Sequence, residues 1–249
     1  MRKHLSVLAL YAGNNFLRLL TLMVAMGVLE TVLFVLRWNR WDFESQLIPA
    51  VENLLRGVPL ISALTLLALL FLLCYSDGET PTAAYTLRRL RISEEAGVLW
   101  KAIYNCLCLL LLWAVQTAVV MGLCAWYTRA IGPEYSTSQT VFLAFYRVPF
   151  LHNLLPLGRW TRYLRNIVLL LALGFCTAVR TYKVRRGSQF GWGIGIFLWG
   201  LTYACFRDGI SSGFMDAAVI ILALMAASVD ADYFIRGWIG WRGGLDETD

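Results

Sequence analysis

From Val98 to Tyr127 the chain runs through thirty residues with Lys101 as its single charge. As a helix that run is about 45 Å long at 1.5 Å per residue. Only a helix or a closed barrel satisfies its own backbone in hydrocarbon, and the run lacks the strict alternation of a barrel strand. It therefore reads as a membrane helix. Five more apolar runs behave alike: Phe16–Leu36, Gly57–Tyr75, Asn166–Val179, Phe190–Phe206 and Phe214–Val229. Composition agrees, with 59% hydrophobic and 15% charged residues in 249, against about 45–50% and about 25% in soluble domains. The fold class expected is all-α, one polytopic membrane bundle over 1–249 with six transmembrane helices, at about 16–36, 57–75, 98–127, 166–179, 190–206 and 214–229.

Around those spans, Met1–Asn15 starts with Met1-Arg2-Lys3-His4 and then alternates apolar with polar residues. It has no cleavage site of small residues and reads as an interfacial helix on the cytoplasmic face. Pro133–Leu157 carries Arg147, Pro149, His152 and Pro156. A mid-bilayer arginine costs at least about 2.5 kcal/mol, so this stretch is expected to be interfacial or re-entrant rather than a seventh span. With both termini cytoplasmic, thirteen basic residues fall inside and nine outside, the sense that cytoplasmic Lys and Arg enrichment requires. The net charge of +6 then reflects topology and not nucleic-acid binding. The outer side includes the row Arg159, Arg162 and Arg165, read as lying at headgroup level against lipid phosphate.

Chemistry-bearing motifs are few. No Gly-x-x-x-x-Gly-Lys-Ser/Thr occurs, so the chain is not expected to cradle nucleotide phosphates or to be an enzyme. Gly209-Ile210-Ser211-Ser212-Gly213 spells a nucleophile pattern, but that motif needs a strand-to-helix elbow and a histidine base. The two histidines, His4 and His152, both precede it. Glu94-Glu95 lacks the arginine four residues on that a membrane-embedded CAAX-type protease would have; Leu99 stands there. The six cysteines include no CxxC pair and read as small buried hydrophobes; no metal or cofactor is implied. The glycines of Gly191–Gly200 read as points of close helix contact. Glu30, two-thirds along the first span, needs a partner in lipid. It either faces a substrate pathway or bonds a polar neighbour such as Gln116. Asp216 reads as a helix cap, and Asp230 and Asp232 as interfacial residues.

Between the second and third spans, Asp77-Gly78 marks a turn. Thr80 followed by Pro81 is a good N-cap and first helical position, so a short helix is expected over 81–91. Ser93 with Glu94 and Glu95 opens the next helix, which meets no Gly-Pro break before Gly132-Pro133 and outruns the bilayer core of about 30 Å. The order Tyr85-Thr86-Leu87-Arg88-Arg89-Leu90-Arg91-Ile92-Ser93-Glu94, then Trp100 to Asn105, resembles the membrane (permease) subunits of exporter-type bacterial ABC transporters. Phe142–Arg147 and Phe150–Pro156 look like the outer segment of Gram-positive members. The sharp part covers about ten residues, and Arg91 stands where the family usually has proline.

The resemblance implies a permease in the bacterial cell membrane that pairs with a second permease subunit, as homo- or heterodimer, and docks a cytoplasmic ATP-binding subunit. Tyr85, Thr86, Leu87, Arg88, Arg89, Leu90, Arg91 and Ser93 would form the coupling helix that transmits ATPase closure, with ATP bound by the partner. The first, second and fifth spans would line the cavity. Independently of the name, a short helix with apolar knobs at Tyr85, Leu87 and Leu90 beside three guanidinium groups fits a groove with an acidic rim. The other reading is a non-transporting scaffold or sensor whose basic loop recruits a partner or anionic lipid.

Overall fold

The computed structural model describes residues 2–39, 47–75, 94–131, 146–156, 158–185, 192–207 and 212–246. Among them every regular element is a helix: α1 (Arg2–Trp38), α2 (Leu47–Leu55), α3 (Val58–Tyr75), α4 (Glu94–Ile131), α5 (Pro149–Leu154), α6 (Trp160–Arg185), α7 (Trp192–Arg207) and α8 (Gly213–Asp246). The 81–91 segment and its eight coupling residues lie outside the described residues.

The long helices alternate in direction. At one end, here the lower, Val98 and Ala102 of α4 pack with Ala178, Val179 and Tyr182 of α6 and with Phe234 of α8. Trp192 at the start of α7 lies 4.4 Å, centroid to centroid, from Phe71 near the close of α3. At the upper end, Phe34 of α1 and Tyr127 of α4 share a cluster with Val51 and Leu54 of α2 and Leu151 of α5. Thus α1, α4 and α7 run upward and α3, α6 and α8 downward. The ends flanking 76–93 lie together at the lower end.

Five helical stretches are long and apolar enough to cross a membrane: Asn15–Trp38, Val51–Tyr75, Glu94–Ala130, Trp160–Val184 and Gly213–Arg236. The sequence reading has six. The difference is α7, whose 16 residues reach about 24 Å, short of a hydrocarbon layer of about 30 Å. A second difference concerns the N-terminus. The interfacial helix and first span are one unbroken α1 of 37 residues, because no proline interrupts 2–38 and Gly13 alone does not break a helix.

The helices are not equivalent. In the apolar window of α6, 67% of residues are buried inside the protein, whereas the other four candidates reach 22–33%. It is the central post, packed by α3, α4, α7 and α8. Close approach to α4 depends on Gly174: a Cβ there would stand 2.6 Å from Cys106 Sγ and 2.9 Å from the Cys106 backbone nitrogen. Across this crossing, Asn105 Nδ2 donates to Thr177 Oγ1 at 3.0 Å. The α7 glycines, expected at close contacts, are elsewhere. A Cβ at Gly193, Gly195 or Gly200 meets nothing within 4 Å.

Candidate functional site

Three polar groups, the buried Glu30 and Gln116 and the half-buried Ser62, meet where α1, α3 and α4 converge. Gln116 Nε2 donates to Glu30 Oε1 at 2.8 Å, and Ser62 Oγ donates to the same oxygen at 3.1 Å. Glu30 is fully buried. Its Oε2, and Gln116 Oε1, are buried with no hydrogen-bond partner among the described residues. The sequence residues Glu30 and Gln116 are therefore in contact. Ser62 joins them without a sequence signal, since a serine in a span is unremarkable until its helix face is known.

Directly against this cluster lies a cavity of about 70 Å³. Ser62 and Gln116 form its polar edge, and Met26, Leu66, Leu112, Trp113, Phe150 and Thr202 are among its walls. The lining residues come from α1, α3, α4, α5, α6 and α7. Two indole donors fix its frame: Trp199 Nε1 donates to the Ala63 carbonyl at 2.9 Å and Trp113 Nε1 to the Leu154 carbonyl at 3.0 Å. The second bond ties down α5, which lies within 146–156, the described part of the 133–157 stretch. This helix has six residues, with Pro149 in its first turn and Phe150, Leu151, Asn153 and Leu154 buried. Pro149 suits that position, where no intrahelical N–H partner is lost. The φ of 87° at Gly158, a conformation that favours glycine, turns the chain toward α6.

Above the cavity is a wider vestibule of about 780 Å³ between α1, α2, α3, the start of α5 and α7. Its described walls include Arg37, Arg56, Arg207 and Glu52, and it shares Pro59, Phe150 and Tyr203 with the cavity below. Arg37 Nη1 donates to the Asn53 carbonyl at 2.8 Å, which fixes that guanidinium at the join of α1 and α2.

Of the outer arginine row, Arg159 is exposed, whereas Arg162 and Arg165 are turned into the protein. Arg165 is fully buried and Arg162 is 3% exposed. Arg165 Nη1 donates to Asp216 Oδ1 at 2.7 Å, Thr161 Oγ1 donates to Oδ2 at 3.1 Å, and Arg162 Nε lies 4.0 Å from Oδ2. Arg162 also donates to Asn153 Oδ1 at 3.3 Å, and Asn166 Nδ2 to the Asn153 carbonyl at 2.8 Å. The reason is the central position of α6: its upper face meets protein, where a carboxylate satisfies what lipid phosphate was expected to. Asp216 accordingly does not cap α8. Ser212 does, its Oγ accepting the Met215 N–H at 3.3 Å. Nearby, burial and then the charges of Arg162 and Arg159 push the His152 imidazole below its ordinary range, so it stands neutral beside the cations.

A second ion pair closes the lower end. Lys183 Nζ bonds Asp230 Oδ1 at 2.5 Å, both side chains being nearly buried, so Asp230 is an interior residue and not an interfacial one. Asp232 is exposed and pairs with Arg236 one turn on. Arg180, one turn before Lys183, lies with its guanidinium carbon 3.2 Å from the centroid of the Trp192 ring. This is a cation–π contact that ties the lower end of α6 to the start of α7. All six cysteines are free, with Cys108, Cys124, Cys176 and Cys205 buried. No group of three His, Cys, Asp or Glu side chains able to hold a metal occurs among the described residues.

Bilayer-length apolar helices, buried intramembrane ion pairs and a cavity with a polar edge define a multi-pass membrane protein. Comparison with family models, curated proteins and solved structures returns no match.

Proposed function

We propose that the chain is the membrane-spanning permease subunit of an ATP-driven exporter in a bacterial cell membrane. In this reading ATPase closure pushes a coupling helix at 81–91, which moves α3 and α4 and opens a route past the Glu30 cluster. The observation that carries the reading is the order Tyr85-Thr86-Leu87-Arg88-Arg89-Leu90-Arg91-Ile92-Ser93, set between two helices whose adjoining ends lie at the same end of the bundle. Helix α4 adds support. At 38 residues it is about 57 Å long, which leaves more than 20 Å outside the hydrocarbon as a lever. With no nucleotide-binding motif in the chain, hydrolysis belongs to a cytoplasmic ATP-binding subunit, and a second permease subunit completes the assembly.

The same reading takes α7 as the sixth crossing. Its first residue packs on the close of α3 and its last turn reaches the vestibule wall, and a locally thinned bilayer accommodates a short apolar helix. Six crossings put both termini on the side of 76–93. Deleting Thr82–Arg91 from the full chain is expected to leave membrane insertion intact and to abolish co-purification of a co-expressed cytoplasmic ATP-binding subunit. Persistent co-purification rejects the coupling role and favours a scaffold that binds by another surface.

A further inference from the structure

Glu30 is fully buried, and no charged side chain among the described residues pairs with it. On α1 the nearest charge above it is Arg37, about 10 Å along the axis. Helix α3 carries no charge, and its first ionisable groups, Cys74 and Tyr75, lie about 18 Å beyond Ser62. On α4, Cys108 and Cys124 are about 12 Å from Gln116, and Lys101 and Arg129 about 20 Å. In α2, Glu52 faces the vestibule, and α7 brings Tyr203 to the cavity wall. An ionised carboxylate inside a membrane bundle needs a partner charge, and these distances leave Glu30 without one.

The atoms left over in the contact name what neutralises it. Both are buried oxygens without a hydrogen-bond partner among the described residues, Glu30 Oε2 and Gln116 Oε1. As carboxylate and amide they are mismatched, two acceptors with no donor between them. One hydrogen resolves both. A protonated carboxyl has an O–H to donate and keeps a carbonyl that accepts, and a primary amide offers the reverse. The bond from Gln116 Nε2 to Glu30 Oε1 at 2.8 Å is already half of that exchange. We infer that Glu30 is a proton-binding site, in which a proton on Oε2 is donated to Gln116 Oε1 and clasps α1 to α4 by two hydrogen bonds. This goes beyond the permease reading and does not depend on it. The site also has a way to water. Gln116 and Ser62 edge the cavity of about 70 Å³, against roughly 10–15 Å³ needed to hold one water. The cavity shares Pro59, Phe150 and Tyr203 with the vestibule above. On release the acid O–H bond breaks, its electron pair stays on Oε2, and the proton passes to a water in the cavity and on to the vestibule. The clasp then keeps one bond, and α1 is held less tightly on α4.

Infrared spectra of the full chain at neutral pH test the site, in dodecyl maltoside, a detergent with no carbonyl of its own. The wild type is expected to show the carbonyl stretch of a protonated carboxylic acid, and Glu30→Gln to lose it. That variant places an N–H where the acid has its O–H, so both hydrogen bonds to Gln116 are kept and the fold with them. Gln116→Leu removes the donor to the acid carbonyl, and the band is expected to persist at higher frequency. It supplies an independent assignment if Glu30→Gln does not fold. In D2O the wild-type band is expected to move to lower frequency as the proton exchanges. Loss of carboxylate absorption in place of acid absorption in the Glu30→Gln difference spectrum overturns the inference and shows an ionised Glu30 that some other cation must neutralise. An acid band unmoved by Gln116→Leu overturns it as well. A band unshifted after overnight exposure to D2O overturns exchange through the cavity.

Discussion

Arg165 is the residue on which the upper end turns. A guanidinium with no exposed surface is tolerated because Asp216 and the Asn166 side chain accept from it. Removing one partner of such a buried pair leaves the other charge uncompensated, at a cost of about 3–5 kcal/mol. Asp216→Asn is therefore expected to lower the thermal midpoint sharply in detergent, while Asp232→Asn, on the exposed face, leaves it nearly unchanged. Equal midpoints for the two variants would mean that the Arg165–Asp216 pair does not hold α6 to α8. The spacing of Arg159, Arg162 and Arg165 already places the row on one helix face in the sequence. What it faces was not legible, because headgroup phosphate and a carboxylate on a helix fifty residues away satisfy a guanidinium by the same chemistry.

Among the elements, α6 is set apart by what surrounds it. Ion pairs near both its ends, to Asp216 and to Asp230, tie α6 to α8. The crossing with α4 at Gly174 fixes the other side. Gly174→Ala must displace the Cys106 backbone and is expected to cost about 1–3 kcal/mol as overpacking. Gly200→Ala, with open space around it, is expected to be neutral or to stabilise α7 by up to about 1 kcal/mol through helix propensity. Thermal midpoints of the two variants in the same detergent check the contrast, and a neutral Gly174→Ala would show that the two helices are not in tight contact. Glycine-rich runs alone misassign the close contact. A lone glycine on a buried crossing brings backbones together, whereas several on a lipid-facing stretch need not.

At the scale of the molecule, the buried charges alter the orientation argument. Setting aside the interior Arg162, Arg165, Lys101 and Lys183 changes thirteen inner against nine outer basic residues to eleven against seven, the same sense with a wider ratio. Glu52→Cys at the upper end and Glu94→Cys at the lower are each exposed positions. A membrane-impermeant maleimide is expected to label Glu52→Cys in right-side-out vesicles and Glu94→Cys only in inverted ones, above the wild-type background. Labelling of Glu94→Cys from outside would invert the bundle and place 76–93 beyond reach of any cytoplasmic motor. Apolar run length and the scarcity of charge determine by themselves that the chain is helical and crosses the membrane repeatedly, because unpaired backbone groups are prohibitively costly in hydrocarbon. The need of Glu30 for a partner is legible on the same ground. Which helix is central, that Ser62 completes the Glu30 cluster, and that Arg162, Arg165 and Asp230 lie inside were decided by the tertiary structure alone. Hydropathy records how apolar a segment is, and only packing decides whether its polar face meets lipid, water or another helix.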